Sequence, residues 1–395
     1  MRKSTVMIMI AFLLAIAFGS QGIARAAEPI KIGFMAPYVG VFTKIGTDLR
    51  DGFKLCLDEI KYKVAGREIL FLNEDDEGKP EVGLVKARKL VEKDQIHVLS
   101  GIVSSAVAYA VKDYMIANKV PYVGCNAGAN KLTQELRNLL IFRTNFANGQ
   151  EELAAAWYAY AKMGAKKVVL MTSDYAAGHE KAVEFMKIFK IMGGEIVSEI
   201  YPPLDTTDFA PYLAKVSNFA GKADRMWSFF TGSDAVRFIN QYDEYGLKEK
   251  LKIWVDGGTV DEAILPSEKN AALGVDNYQH YAFTLDTSEN RRFVKAYQMK
   301  YNMDPGQVAE QGYVGAKVIV KALEAVGGKI ENQEAFLKAL RNVKFEAPRG
   351  LFRFDQHQNV IFNVYIRRVE KRDGKYINTV IDTIPDVDQY WMPKK

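Results

Sequence analysis

Ile96-His97-Val98-Leu99-Ser100-Gly101 runs straight into Ile102-Val103-Ser104-Ser105-Ala106, and the reading of this stretch decides the fold. A short apolar run suited to a buried strand ends in small residues. Val107, Ala110, Val111, Tyr114 and Met115 then recur at helical spacing. The same order returns in Val120-Pro121-Tyr122-Val123-Gly124, followed by Cys125-Asn126-Ala127-Gly128-Ala129-Asn130. A helix N-terminus has unpaired N–H groups and a positive partial charge, so it holds an anion without a cationic side chain. Two such turns close in sequence, one bearing the paired hydroxyls of Ser104 and Ser105, predict a seat for a small carboxylate.

Outward from these turns, strands and helices alternate. Ile30–Phe34, Glu68–Leu72, Val168–Thr172, Glu195–Ile200, Arg225–Phe230 and Lys252–Val255 read as strands. Helical patterns separate them, which predicts parallel sheets covered on both faces. The units are too many for one domain of ~100–200 residues, so the chain is read as two α/β lobes. Toward the C-terminus, helices over 312–326 and 332–343 precede strands at 351–354 and 360–369, an Asp373-Gly374 turn and a further strand. Strands that return after helices predict more than one crossing between lobes.

The first residues read as a secretory signal peptide over 1–26. Arg2 and Lys3 precede an apolar run from Val6 to Phe18, and Ala24-Arg25-Ala26 supplies small residues for cleavage. The run is short for a retained membrane anchor, the alternative, and no later stretch reaches the ~20 apolar residues of a spanning helix. The mature chain is thus expected from Ala27 onward, in the periplasm. Arg2, Lys3 and Arg25 account for three of the +5 charges, leaving +2, a balance that argues against nucleic acid as a partner. Only Cys56 and Cys125 occur, which excludes a disulfide scaffold. Cys56 reads as a core residue, with a single Cys56–Cys125 bridge as the other option.

The chain carries little that could perform catalysis. His97, His179, His280 and His357 lack metal-ligand spacing, and CxxC, HExxH, GxSxG, Walker and GxGxxG patterns are absent. Ser104-Ser105 has no local base to activate a nucleophile, so a hydrolase would need a distant His. The acidic run Glu74–Glu77 lacks Ca²⁺-loop spacing and reads as a solvated turn. No metal, no cofactor and no enzymatic activity are expected. In open parallel sheets ligands bind beyond the carboxyl ends of strands. Three further strand ends therefore join the two turns around a cleft: Ser173-Asp174-Tyr175, Phe229-Phe230-Thr231-Gly232 and Val255-Asp256-Gly257-Gly258. Phe229 and Phe230 compete with a core reading, and Gly257-Gly258 with a plain turn. Ser104 is the favoured anchor, because a hydroxyl there would cap the helix while facing the cleft.

At this point a family resemblance covers the whole mature chain. Ile32-Gly33-Phe34 with Gly40, Gly46 and Gly52, Ser100–Ser105, Phe142-Arg143-Thr144, Asp174-Tyr175-Ala176-Ala177-Gly178 and Gly312-Tyr313 stand in the order seen in one family. The chain resembles the periplasmic solute-binding proteins of branched-chain amino acid (leucine/isoleucine/valine) ABC transporters. The resemblance implies two Rossmann-like lobes, each a parallel sheet flanked by helices, that close like a hinge over the ligand. Three crossovers join them, near Thr144–Ala147, Gln279–Phe283 and Pro348–Leu351. The implied lobes are residues 27–145 with 280–348 and residues 146–279 with 349–395. The implied partner is a membrane-embedded ABC permease, and the protein is expected to be a monomer. A ligand-sensing domain for a signalling partner would use the same closure.

Residue by residue, Ser104 falls where the family's carboxylate-binding Ser stands. Gly128, beside Asn126, replaces a Thr that touches carboxylate and ammonium. Gly257 replaces the acidic partner of the ammonium and leaves Asp256 as a substitute, and Ala177 replaces an aromatic wall. An unpaired buried ammonium is costly. These departures predict a carboxylate without an α-amino group and larger than leucine, such as an aromatic or phenylpropanoid-type acid. The candidate ligand-binding set is Phe42, Ser104, Ser105, Asn126, Ala127, Gly128, Tyr175, Phe230, Thr231 and Asp256. Phe42, Tyr175 and Phe230 would pack on the ring.

Overall fold

The computed structural model describes residues 28–393, so the leader expected over 1–26 lies outside the described residues. Among the described residues, the strands are β1 (Ile30–Ala36), β2 (Lys63–Val64), β3 (Arg67–Asp75), β4 (Val98–Gly101), β5 (Tyr122–Gly124), β6 (Ile141–Arg143), β7 (Lys167–Thr172), β8 (Glu195–Ile200), β9 (Arg225–Phe229), β10 (Ile253–Asp256), β11 (Asp276–Gln279), β12 (Lys344–Ala347), β13 (Gly350–Phe354), β14 (Val360–Arg372) and β15 (Lys375–Val387). Between them lie helices α1 (Thr43–Glu59), α2 (Pro80–Arg88), α3 (Ser105–Ala117), α4 (Gln150–Ala161), α5 (Ala176–Ile191), α6 (Ala210–Ser217), α7 (Gly232–Glu244), α8 (Leu265–Glu268), α9 (Ser288–Tyr301), α10 (Gln307–Ala325) and α11 (Gln333–Arg341).

Two sheets form, as expected of two α/β lobes. The first runs β2-β3-β1-β4-β5-β6 and is parallel except for the β2–β3 hairpin. The second runs β12-β13-β14-β11-β10-β9-β7-β8. It is parallel from β8 to β11, with β12 to β15 added antiparallel. The parallel strands are apolar along their length (VLSG, KVVLMT, IWVD) because helices cover both of their faces. Strand order reverses between β1 and β4 in the first sheet and between β7 and β9 in the second. Neighbouring connections diverge there, which opens a crevice at the strand ends.

The chain passes between sheets three times: after β6, after β11 and after α11. Helices α9–α11 return to the first lobe, where α10 packs on α1 with almost no space between backbones. A Cβ at Gly52 would lie 1.8 Å from the Ala309 carbonyl oxygen, and one at Gly312 would lie 2.0 Å from that of Leu49. Side-chain hydrogen bonds start two of the returning helices, Thr287 Oγ1 accepting from Asn290 N and Asn332 Oδ1 from Ala335 N. Where the third crossover was expected near Pro348–Leu351, β12 already pairs with β13, from Lys344 onward. The Asp373-Gly374 turn between β14 and β15 forms as read, with positive φ at both residues (50° and 79°). The helix Ser288–Tyr301 escaped the sequence reading, since only Phe293 and Tyr297 on it are large buried residues.

Because α1 and α10 meet through glycines, Gly312→Val forces the two backbones apart and is expected to cost at least ~1–3 kcal/mol, the usual range for overpacking. A urea unfolding curve checks this; an unchanged midpoint would contradict the packing described.

Candidate ligand-binding cleft

The crevices of the two sheets face each other and form one cleft. The first lobe contributes Phe42, Ile45, Val103, Ser105, Asn126 and Gly128, and its returning helix α10 adds Gln307, Val308 and Gln311. Phe146 and Asn148 come from the first crossover. The second lobe contributes Tyr175, Ala177, Phe229, Thr231, Asp256, Gly258 and Gln279. Every strand end picked out in the sequence supplies at least one lining residue. The free volume is only about 50 Å³, so Ala177 does not leave the enlarged cavity expected. The rings of Tyr175 and Phe229 stack 6.3 Å apart, with Phe42 6.2 Å from Tyr175.

The turn from β4 to α3 is held in an unusual backbone conformation. Gly101 (φ +92°) is followed by Ile102 (φ +61°), a region that β-branched residues rarely enter. This kink turns the helix start so that Ser105, not Ser104, lines the cleft. Ser104 sits buried at the N-cap, its side chain makes no capping bond, and its carbonyl accepts from Ala108 N. Ser105 Oγ accepts from Asn148 Nδ2 at 3.0 Å, which leaves its own proton free to donate. No base touches it, in keeping with the absence of a catalytic motif.

Two further expectations are corrected. Ala127 belongs to the core beneath the first sheet, with Leu99, Val107 and Val111. Phe230 packs inside the second lobe against Phe209 (5.2 Å) and Phe238 (4.5 Å), while Phe229 faces the cleft. Successive side chains at a strand end point to opposite faces, so only one of this pair could reach the ligand side. Gly128 is a glycine for lack of room: a Cβ there would lie 2.2 Å from Asn148 Oδ1 and 2.7 Å from the Phe146 ring.

Behind the second-lobe wall lies a charge cluster that the motif search did not find. Lys181, fully buried on α5, donates to Glu152 Oε1 at 2.7 Å and Asp256 Oδ2 at 2.8 Å, and stands 3.7 Å from Glu151. Its ammonium also lies 4.8 Å from the Phe146 ring centre and 5.0 Å from that of Phe229. Asp256 Oδ1 accepts from Gly258 N at 2.7 Å. Both oxygens of the proposed ammonium partner are therefore already in use.

Oxygens of Glu151, Glu152 and Asp256 lie within 4.8 Å of one another, a donor set suited to a metal ion, but the lysine ammonium stands among them. Burial drives the Glu152 carboxyl up to about 7, with Asp256 adding to the rise and the Lys181 charge opposing it. Burial raises Glu151 well above the usual carboxylate range, again against the pull of Lys181. For Lys181 itself, burial is outweighed by the three carboxylates and the ammonium is held charged. His280 is buried and held neutral by desolvation, with Arg349 and Arg367 adding to the effect.

Buried arginines and one glutamate tie the lobes together around the cleft. Arg349 pairs with Glu310 of α10 and donates to the carbonyls of Thr144 and Asn145, while its own carbonyl accepts from Tyr365 OH. Arg143 bonds Asn359 across the hinge and the carbonyls of Gly128 and Ala129. At the rim, Glu180 of α5 accepts from Asn130 N (3.0 Å), Asn148 Nδ2 (2.8 Å) and Tyr109 OH. The lobes are thus closed in this structure. Cys56 and Cys125 are buried free thiols, Cys125 lying 3.6 Å from Ser100 Oγ, so no bridge joins them.

This architecture has known counterparts. The family profile described as "Periplasmic binding protein" matches residues 29–375, and the chain belongs to that family. It is similar to Leu/Ile/Val-binding protein homolog 6 of Brucella melitensis, with 29% identity over 93% of this chain and 94% of the relative. It is also similar to an ABC transporter substrate-binding protein from Sphaerobacter thermophilus, at 40% identity and a TM-score of 0.87 over 91% of this chain and 99% of that one. A solute-binding protein of an ABC transporter from R. palustris, solved in complex with benzoate, matches at 31% identity and a TM-score of 0.86 over 92% and 99%. The protein is an extracytoplasmic substrate-binding protein and not an enzyme; such proteins bring small molecules to ABC permeases. Among the described residues no helix is long and apolar enough to cross a membrane.

Lys181→Met would leave three buried carboxylates without their cation, a loss expected to cost ~3–5 kcal/mol at pH 7.5. The folded pKa values of Glu151 and Glu152 lie above the unfolded ones, so the folded state binds more protons and its stability falls as pH rises between about 4.5 and 7. The deficit of the variant is therefore expected to shrink toward pH 5, as read from urea midpoints across pH. A deficit that grows on acidification would contradict the assignment.

Proposed function

We propose that this protein captures a small carboxylate lacking an α-ammonium group, an aromatic or phenylpropanoid-type acid, and delivers it to an ABC permease. One observation carries the reading: Asp256, among the described residues the only acidic side chain lining the cleft, is already bonded to Lys181 and Gly258 N. An amino acid would bring a buried ammonium to a cleft with no free carboxylate to meet it. A carboxylate would accept from the Ser105 hydroxyl and from the first N–H groups of α3. Phe42, Tyr175 and Phe229 offer ring faces that now rest on one another, and a ligand ring would replace those contacts as the lobes part and reclose. The likeness to a benzoate-bound relative supports this choice.

The Brucella relatives' names favour a second reading, capture of leucine, isoleucine or valine through the same cleft. In either case the lobes would be residues 27–145 with 280–348 and residues 146–279 with 349–395. The protein would act as a monomer in the periplasm after loss of residues 1–26. Ligand bridging both lobes would shift the population toward the closed form that the permease reads.

A thermal-shift panel of amino acids and aromatic acids tests the reading. A true ligand at 100-fold its Kd adds ~2.7 kcal/mol of stability. Benzoates or cinnamates are expected to raise the melting temperature and leucine to leave it unchanged; the reverse overturns the proposal. With the ligand so found, Ser105→Ala is expected to weaken binding by roughly 10- to 100-fold, the worth of a hydrogen bond to a charged group, and Ser104→Ala far less. Calorimetric titration of both variants checks this, and an equal effect of the two would remove Ser105 from its role.

A further inference from the structure

Glu180 stands at the closed rim one amide away from Ser105, and each of its hydrogen bonds runs in a direction that the partner forces. The main-chain N–H of Asn130 can only donate, and it reaches Glu180 Oε2 at 3.0 Å. Tyr109 OH already accepts from Lys131 N at 3.2 Å, so its phenol proton is the one turned to Glu180 Oε1. Burial, with the Glu180 charge adding to it, pushes the Tyr109 phenol up and keeps that proton in place. Asn148 presents Nδ2 to Glu180 Oε2 at 2.8 Å, since an amide oxygen turned there would be repelled by the carboxylate.

These directions carry through to Ser105. Asn148 Nδ2 has two protons, one directed to Glu180 and the other to Ser105 Oγ at 3.0 Å. An amide nitrogen accepts nothing, so Ser105 must be the acceptor in that bond. Among the described residues no acceptor takes the serine proton, which is left for a group in the cleft that Ser105 lines. With Asn148 turned over, the amide oxygen would take that proton and the anchor would have no donor. Tyr109, Asn130 and Ser105 belong to the first lobe, Glu180 to α5 of the second and Asn148 to the first crossover. The arrangement is therefore complete only while the lobes meet.

We propose that Glu180 is the positioning residue that makes the anchor competent on closure, latching the rim and aiming the Ser105 proton at the ligand, and so sets how long a captured carboxylate is held. The inference rests on Ser105 as the carboxylate anchor and applies to aromatic acids and amino acids alike. Its sign is opposite to that of charge alone. A negative charge beside an anion's seat repels the anion, so on charge alone its removal would tighten binding.

Surface plasmon resonance on the full mature protein, with benzoate, 3-phenylpropanoate and leucine as probes, tests it. For whichever probe binds, Glu180→Gln is expected to raise the dissociation rate ~10- to 100-fold, the worth of hydrogen bonds to a charged group. Glutamine has one oxygen and one amide, and cannot accept from Tyr109 and from the Asn130 and Asn148 donors together. The association rate is expected to stay nearly unchanged, because ligand enters the open form, where Glu180 is parted from the first lobe. In the Ser105→Ala background the effect of Glu180→Gln is expected to shrink, since the two residues act in one chain. Tighter binding by Glu180→Gln would overturn the proposal, as would additive effects of the two substitutions. A merely structural role would lower the fraction of protein that binds and leave the dissociation rate of the rest unchanged, which would overturn it too. Where circular dichroism shows that Glu180→Gln does not fold, Tyr109→Phe removes one rim bond and is expected to raise the dissociation rate ~3- to 10-fold; an unchanged rate would overturn the latch. Binding of leucine alone would sink the aromatic-acid reading and leave this test in force. Binding of none of the three would sink the anchor, and this inference with it.

Discussion

The ion pair of Lys181 with Asp256 and Glu152 is the interaction on which the binding site depends. A lysine wholly buried in a lobe core is expensive, and it is kept by three carboxylates drawn from α4 and β10. Its effect on the cleft is indirect and large. It occupies the acidic side chain that lines the cleft, Asp256, and it puts a positive charge behind the rings of Phe146 and Phe229. The second-lobe wall is consequently neutral toward a ligand cation and tolerant of an anion. The same ammonium excludes a metal ion from a group of oxygens that could otherwise coordinate one.

Around this fixed wall the lobes are joined by bonds that depend on where each crossover runs. Arg349, in the turn between β12 and β13, touches the first crossover through two carbonyls and α10 through Glu310. A single buried guanidinium thus registers three segments, and its five donors in a rigid fork suit it to that position. At the rim, Glu180 links α5 to Tyr109 and Asn130 of the other lobe and holds Asn148, which in turn orients Ser105. Closure and orientation of the carboxylate anchor are therefore parts of one hydrogen-bond network.

Much of this was legible in the residues themselves. Short apolar strands ending in small residues, then helices, is the pattern of a doubly wound sheet, and every strand end it picked out borders the cleft. The errors are one-residue errors with physical causes. Ser104 and Ser105 were separated by the kink at Gly101-Ile102, which no periodicity reveals. Phe229 and Phe230 were separated by the pleat of a strand, where a shift of one residue exchanges cleft for core. Lys181 was missed because lysines on helices are ordinarily solvated. Its signal lay in the stripe Ala177, Lys181, Phe185 and Ile188, where an apolar face is interrupted by one charge. Glu151-Glu152 at the start of α4 looked like ordinary first-turn acids. Their burial depends on β10 and β11, whose packing no local pattern encodes.

The central claim is that the cleft has no free partner for an ammonium group. It is tested most directly by two ligands that differ in that group alone, 3-phenylpropanoate and phenylalanine, titrated calorimetrically into the same ligand-free preparation. The account predicts saturable heat for 3-phenylpropanoate and none for phenylalanine at the same concentrations. Tighter binding of phenylalanine would mean that Asp256 is released from Lys181 to meet the ammonium, and would contradict it.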